Sequence, residues 1–173
     1  MIKHLSIIGV GLIGGSLALA LKKAGLVEKV TGYSRSQAAR DEALALGIID
    51  NAAESLAEAV TDADMVFVAV PMGAMQAVFE QIAAHLKPQA IVTDGGSAKQ
   101  QIVEQHRVVL TPVAETDKTA LEQVRQMWQQ TGADVFDMEV EHHDVVLAAT
   151  SHLPHVLAFN LVGMLARRED CDE

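Results

Sequence analysis

Residues 5–24, LSIIGVGLIGGSLALALKKA, decide the fold predicted for this chain. The apolar run that opens this stretch ends in GVGLIG at positions 9–14, which has the spacing G-x-G-x-x-G, and a helical pattern follows. In a strand–turn–helix unit, Gly9 allows the tight turn, Gly11 lets the backbone approach a pyrophosphate, and Gly14 lets the helix pack on the strand. We therefore expect a dinucleotide site here; the alternative is a glycine-rich turn in some other α/β fold.

Further cofactor contacts are expected around this turn. Leu12 and Ile13 lie where the helix begins, and free N–H groups and the helix dipole attract phosphates there. Val70 and Pro71 end the apolar run MVFVAV at 65–70, which is typical of a strand buried on both faces. Since doubly wound sheets bind ligands at the carboxyl ends of their strands, these residues are expected to share one site.

Short apolar runs alternate with helical patterns along the first hundred residues, which predicts a doubly wound, mostly parallel α/β sheet. Strands are expected at 5–9, 29–33, 48–49, 65–70 and 90–93, and helices at 13–24, 36–46, 56–60 and 74–86. Farther along, we expect a short helix from Ser97 to about 105, strands at 107–111 and 134–138, and a helix at 118–130.

The C-terminal part is predicted to be helical from residue 139. A break is expected at 151–154, because Ser151 can cap a new helix and Pro154 fits its first turn. The last helix, to residue 165, is apolar on every side and needs a partner to bury it. We therefore expect a homodimer, with a first domain at 1–138 and the start of a second, helical domain at 139–173.

The end of the second strand is expected to distinguish NADP from NAD. In dinucleotide folds an Asp or Glu here binds the ribose 2′-hydroxyl. This chain instead has YSRS at 33–36, with Arg40 a turn later. The hydroxyls of Ser34 and Ser36 and the guanidinium of Arg35 suit a 2′-phosphate, so NADP is favoured. Alternatively, Ser36 only caps the next helix and Arg35 is solvated.

The composition excludes several classes of protein. Lys and Arg number 13 and Asp and Glu number 23, and the resulting net charge of −10 disfavours nucleic acid and anionic membranes as partners. No apolar run reaches the roughly 18 residues of a membrane span. Cys171 is the one cysteine, which excludes a disulfide framework and suits the cytoplasm.

Four of the seven histidines fall between positions 142 and 155. A metal site is the weaker interpretation, because no cysteine lies nearby and His152 and His155 adjoin a proline-marked break. We therefore predict no metal. His142 is expected to face solvent, whereas for His143 and His155 the residue type fits a proton-carrying role and a structural role equally well.

The segment EHHDVVLAATSHLPHVLAF, at 141–159, is the most specific stretch of the chain. With IIGVGLIGGSLALALKKAGL, TDADMVFVAVPMGA, AIVTDGGSAK and RVVLTPVAETD, it resembles the prephenate dehydrogenase family, which includes arogenate and cyclohexadienyl dehydrogenases of tyrosine biosynthesis. The likeness extends over nearly the whole chain. It implies a Rossmann-type domain followed by the start of an all-helical dimerisation domain.

The resemblance implies an oxidative decarboxylation of prephenate or arogenate. Hydride passes from the cyclohexadienol ring to NADP or NAD, carbon dioxide leaves, and the ring becomes aromatic. Aromatisation drives the reaction, so the protein mainly orients the ring and manages one proton. By the same resemblance, Ser97 lies beside the substrate hydroxyl and the nicotinamide, His143 is the site histidine, and His155 is on the substrate side.

Two departures from the family pattern affect the expected activity. Family members carry a GHPxAGSE-like segment, with the histidine that acts as base, where this chain joins the 97–105 helix to the 107–111 strand; His106 lacks the proline that should follow. The chain also stops before the arginine that should bind a substrate carboxylate. The alternative function is therefore a catalytically silent NADP-binding and dimerisation module. A different Rossmann reductase is a third possibility, which SHLPH disfavours.

Overall fold

A computed structural model of the chain describes residues 1–95 and 107–165. Five of its strands form the main sheet: β1 (Ile2–Ile8), β2 (Val27–Tyr33), β3 (Asn51–Ala52), β4 (Met65–Val68) and β5 (Ile91–Asp94). They are all parallel and lie in the order β3-β2-β1-β4-β5. The predicted α/β, doubly wound class is thus confirmed.

Helices cover both faces of this sheet. They are α1 (Leu12–Lys23), α2 (Gln37–Ala45), α3 (Leu56–Val60) and α4 (Met72–Ile82), which continues as a 3-10 turn over Ala83–His85. Helices α1 and α2 pack on one face, where Leu5 and Ile7 of β1 are fully buried, and α3 and α4 pack on the other with Ile8. Because alternate residues of a strand point to opposite faces, this double burial accounts for the continuous apolar run of β4.

A second, two-stranded parallel sheet lies farther along the chain. It consists of β6 (Arg107–Leu110) and β7 (Asp134–Asp137), joined through α5 (Lys118–Gln130). Helix α5 packs against the core of the main sheet, and the Trp128 ring meets the Phe67 ring of β4 edge-on at a centroid distance of 5.9 Å. The two sheets therefore share one apolar core.

Local interactions hold α5 at the predicted bounds. The Asp117 carboxylate accepts a hydrogen bond of 2.7 Å from the Ala120 N–H, as expected of an N-cap. Arg125 donates to both carboxylate oxygens of Asp137, at 2.7 and 2.8 Å, and so ties the middle of the helix to β7.

The prediction of a strand at 48–49 was wrong. The N–H groups of Ile48 and Ile49 both donate to the carbonyl of Ala43, so these residues close the C-terminal turn of α2 after Gly47, whose φ is +67°. Their apolar character reflects packing against the core rather than strand pairing. The strand β3 starts two residues later and pairs with Thr31 and Gly32 of β2.

The predicted helix break at 151–154 was also wrong. Helix α6 (Val140–Leu147) passes into a π turn (Ala148–His152) and then directly into α7 (Leu153–Leu165). In this turn the Leu153 N–H donates to the Ala148 carbonyl, five residues back. Because Pro154 has no N–H to donate, the wider turn accommodates it without ending the helix. Ser151 lies within the turn and does not begin a helix.

The predicted helix from Ser97 to 105 and the residue His106 lie outside the described residues. Over 1–95 and 107–165, the helices are too short or too polar to cross a membrane.

Candidate dinucleotide site and catalytic residues

The carboxyl ends of β1, β2 and β4 converge on the glycine turn at 9–14. The N–H of Gly9 donates to the Tyr33 carbonyl at 2.8 Å, and the N–H of Ala69 donates to the Ile8 carbonyl at 2.7 Å. These bonds hold the turn between the two neighbouring strands. The structure therefore brings together the three strand ends from which the sequence predicts a cofactor site.

Two of the three glycines are required by the protein's own packing. Gly9 has a φ of +98°, and a Cβ atom on it would lie 2.3 Å from the Ala69 carbonyl oxygen. A Cβ atom on Gly14 would lie 2.3 Å from the Gly9 carbonyl oxygen and 2.7 Å from Ile7. Both positions therefore exclude a side chain, for the reasons that the sequence pattern indicates.

Gly11 differs, because a Cβ atom on it would meet no protein atom within 4 Å. It is exposed and precedes α1, whose N-terminus has no side-chain cap and no acidic residue in its first turn. The space in front of Gly11 is thus open and bordered by backbone N–H groups and the positive end of a helix dipole. These residues fit a pyrophosphate.

The other predicted contacts surround this space. Ile13 and Val70 are half-buried, whereas Leu12 and Pro71 are exposed. A Cβ atom on Gly95, after β5, would lie 2.8 Å from the Phe67 ring and 3.5 Å from Ile13, so the end of β5 also closes on the turn. Ser97, the next predicted residue along the chain, lies outside the described residues.

The loop after β2 contains the helix cap that the alternative interpretation of its sequence predicts. The Ser36 hydroxyl accepts a hydrogen bond of 3.3 Å from the Ala39 N–H and so caps α2, while Arg35 is exposed and Ser34 is half-buried. Arg40 is buried, and its guanidinium donates to the Ser34 carbonyl. The loop has no carboxylate, and Arg35 is its exposed cation.

His143 lies on α6 with 15% of its side chain exposed. Its Nδ1 atom lies 3.1 Å from the Asp144 carboxylate, which leaves Nε2 to exchange a proton. The neighbouring His142 is exposed, as the sequence predicts. Sequence reasoning did not select Asp144, although its position directly after His143 was the available signal.

His155 is the third residue of α7, and its side chain is outside the described part of the structure. Because α6, the π turn and α7 form one continuous helical run, its Cα lies on the order of 18 Å along the axis from that of His143. The two histidines therefore do not share a helical turn. Within the described residues, no group of three metal-ligating side chains occurs.

The strand order and the glycine turn define a Rossmann-type, nucleotide-binding domain. Residues 17–107 match the family model described as "Prephenate dehydrogenase, nucleotide-binding domain". Residues 139–173 match the family model described as "Prephenate dehydrogenase, dimerization domain". The chain belongs to the prephenate dehydrogenase family.

Individual relatives agree with this assignment. The cyclohexadienyl dehydrogenase of Zymomonas mobilis is 35% identical over 96% of this chain and 69% of its own length. The prephenate dehydrogenase of Bacillus subtilis is 31% identical over 94% of this chain and 53% of its own length. The crystal structure of A. aeolicus prephenate dehydrogenase with hydroxyphenyl propionate and NAD+ has a TM-score of 0.88 and 29% identity, and the match covers 96% of this chain and 70% of that one. This chain thus spans between about half and 70% of these proteins.

The alignments are also longer than the part of this chain that they cover. The match to the Z. mobilis protein extends over 201 positions, whereas 96% of 173 residues is about 166, so about 35 positions lie opposite gaps. The match to the B. subtilis protein extends over 198 positions and covers 94% of the chain, about 163 residues, which again leaves about 35. This agreement indicates that internal residues present in the relatives are absent here.

Proposed function

We propose that this chain is an NADP-preferring oxidoreductase that oxidatively decarboxylates prephenate or arogenate. The observation that carries the proposal is the open space at Gly11, between two glycines that the fold itself requires. The absence of a carboxylate from the YSRS loop and the exposure of Arg35 support NADP over NAD.

The proposed cofactor contacts follow from the site geometry. The backbone at Gly11, Leu12 and Ile13 binds the pyrophosphate, and Ser34, Arg35 and Ser36 bind the 2′-phosphate. Val70 and Pro71 border the dinucleotide at the end of β4. When bound, the nicotinamide supplies the hydride acceptor, and this chain's side chains orient the substrate and move its proton.

His143 is the proposed proton-handling residue. The Asp144 carboxylate fixes the ring through Nδ1, so Nε2 can accept a proton from the substrate hydroxyl. Because the chain resembles the family at these positions, we also propose that Ser97 and His155 contact the substrate. We also propose that two copies associate through α6 and α7, in keeping with the match to the dimerization domain.

Reduced-nicotinamide formation by the purified chain tests the proposal, with prephenate and arogenate each offered NADP+ and NAD+. We expect turnover, faster with NADP+, and we expect His143→Gln to lower kcat by about 10²–10⁴. His142→Gln changes the exposed neighbouring histidine and is the matched control, with kcat unchanged. Equal loss in both variants would contradict the assignment of His143.

A catalytically silent NADP-binding module is the second candidate, and the total of about 35 gapped positions favours it. We infer that the missing residues lie near 105–107, where the resemblance places a catalytic histidine. Losing a general base alone costs about 10²–10⁴ in rate. A chain that binds NADP+ with a fixed stoichiometry but turns over neither substrate would establish this second function.

A further inference from the structure

Arg40 is the one charged side chain that is buried within the described part of the chain, with 8% of its surface exposed. Burying a cation without a nearby anion is strongly unfavourable, so a buried guanidinium normally has a carboxylate partner. Arg40 belongs to α2, the helix that follows the loop at 34–36 in the chain. Its environment therefore bears on what this loop binds.

The hydrogen-bond acceptors of Arg40 are both neutral. One guanidinium nitrogen, Nη1, donates to the Ser34 carbonyl, and the other, Nη2, donates to Gln37 Oε1 at 2.7 Å. Asp41 is connected only indirectly, because its carboxylate accepts a hydrogen bond of 3.2 Å from the Gln37 amide. Within the described residues, no carboxylate lies within ion-pairing distance of Arg40, so its guanidinium makes no direct ion pair.

The location of this charge matters because the Ser34 carbonyl belongs to the loop that we propose binds the 2′-phosphate of the cofactor. Tyr33, the preceding residue, accepts the hydrogen bond from the Gly9 N–H, which places the loop beside the glycine turn. A backbone carbonyl facing a 2′-phosphate would repel it. Arg40 donates a hydrogen bond to that carbonyl and adds a positive potential to the same loop.

We propose that Arg40 is a positioning residue that determines the preference for NADP. Its buried guanidinium, which makes no ion pair within the described residues, holds the Ser34 carbonyl and favours a 2′-phosphate over a 2′-hydroxyl. Arg35, which is exposed, makes the direct contact. This inference rests on the proposed function, because it presumes that the loop binds a dinucleotide. It goes beyond that function by assigning the preference to a residue outside the binding loop.

Two substitutions test the role of the Arg40 charge, one by removing it and the other by giving it a carboxylate partner. Arg40→Gln removes the cation but keeps an amide that can donate to Ser34. Gln37→Glu leaves Arg40 in place and puts a carboxylate where its Nη2 now meets an amide oxygen. Arg40→Lys keeps the charge and loses the planar fork. Ala38→Glu adds a negative charge to the neighbouring exposed position of α2 and is the matched control for Gln37→Glu.

Dissociation constants for NADP+ and NAD+, measured by titration calorimetry on the full chain, test the role of Arg40. This measurement does not require the chain to be catalytically active. We expect Arg40→Gln and Gln37→Glu to lower the NADP+ to NAD+ affinity ratio by about tenfold or more, and Arg40→Lys and Ala38→Glu to change it less.

The inference is overturned if the ratio stays near that of the unsubstituted chain in Arg40→Gln, or if both affinities fall equally. If Arg40→Gln does not fold, Gln37→Glu alone decides by the same criterion. An unsubstituted chain that binds neither dinucleotide would instead refute the proposed function. A chain that binds NADP+ with a preference independent of Arg40 would refute the inference alone.

Discussion

The glycines of the 9–14 turn face different constraints, and substitutions can separate them. A methyl group on Gly14 would collide with the Gly9 carbonyl and with Ile7, so we expect Gly14→Ala to lower the free energy of unfolding by about 1–3 kcal/mol. A methyl group on Gly11 meets open space, so Gly11→Ala should change stability by less than about 1 kcal/mol. It should nevertheless weaken NADP+ binding by about tenfold or more, because the methyl occupies the pyrophosphate position.

Urea unfolding and titration calorimetry on the two variants check this pair, each serving as the control for the other. Unchanged NADP+ affinity in Gly11→Ala would show that the phosphates do not approach the turn there. An unchanged free energy of unfolding in Gly14→Ala would mean that α1 can move away from β1 without loss of stability.

At the same scale, the sequence predicts the glycine turn but not the side-chain hydrogen bonds around the site. Gly9, Gly11 and Gly14 are recognisable because backbone sterics demand glycine at fixed spacing. The contact of Arg40 with the Ser34 carbonyl is not recognisable in the sequence, because it depends on how the Arg40 side chain turns back toward the loop that precedes α2. The same limit applies to the His143–Asp144 contact, where adjacency is visible in the sequence but side-chain orientation is not.

At the scale of secondary-structure elements, ion pairs fasten two connections to the sheet. Lys22 of α1 donates to the Asp50 carboxylate at 2.7 Å, and Lys87 donates to that of Asp64. Burial acts to raise the pKa of Asp50, but hydrogen bonds from Lys22 and the Val30 N–H outweigh it and hold the pKa below 3.8. The hydrogen bond from Lys87 likewise lowers the pKa of Asp64.

These groups predict a loss of stability on acidification. Burial lowers the pKa of His4 below 6.5. As the pH falls below 6.5, His4 is therefore protonated to a greater extent in the unfolded chain than in the folded chain. The same holds for Asp50 and Asp64 below pH 3.8. Because the unfolded state binds more protons in both windows, the free energy of unfolding falls as the pH falls.

Urea unfolding at a series of pH values from 7.5 to 3 would measure this dependence. His4→Gln should flatten the curve just below pH 6.5, and Asp50→Asn should flatten it at the acid end. His142→Gln, at an exposed histidine, is the control and should leave the curve unchanged. A stability that stays constant or rises on acidification would contradict the prediction.

The accuracy of the predicted elements follows how local their determinants are. Helix α5 has the predicted bounds because its Asp117 cap and its amphipathic spacing lie within the segment itself. Strand β3 has only two residues and is defined by pairing with β2, so local apolarity at 48–49 misplaced it. The π turn replaced the predicted break because Pro154 tolerates a widened helix as well as a new one.

At the scale of the whole molecule, the chain joins a buried five-stranded sheet to a helical run whose described side chains are mostly exposed. Val145 of α6 and Leu153, Val156, Leu157 and Met164 of α7 are all exposed, each by more than half of its surface. Apolar side chains at this density on one helical run favour association with a partner. Residues 139–173 match a dimerization domain, which supports our proposal that this partner is a second copy of the chain.

Sedimentation equilibrium tests this association, and the chain offers a closely matched control. Leu157 on α7 and Leu46 at the end of α2 are exposed by 61% and 63%, so a glutamate at either position removes a similar apolar area from the surface. If α7 forms the interface, Leu157→Glu should weaken self-association by about tenfold or more, because a charge is then desolvated against an apolar partner, whereas Leu46→Glu should leave the dimer intact. Equal effects of the two substitutions would place the interface elsewhere, and a monomer for the unsubstituted chain at tens of micromolar would refute dimerisation through this helix.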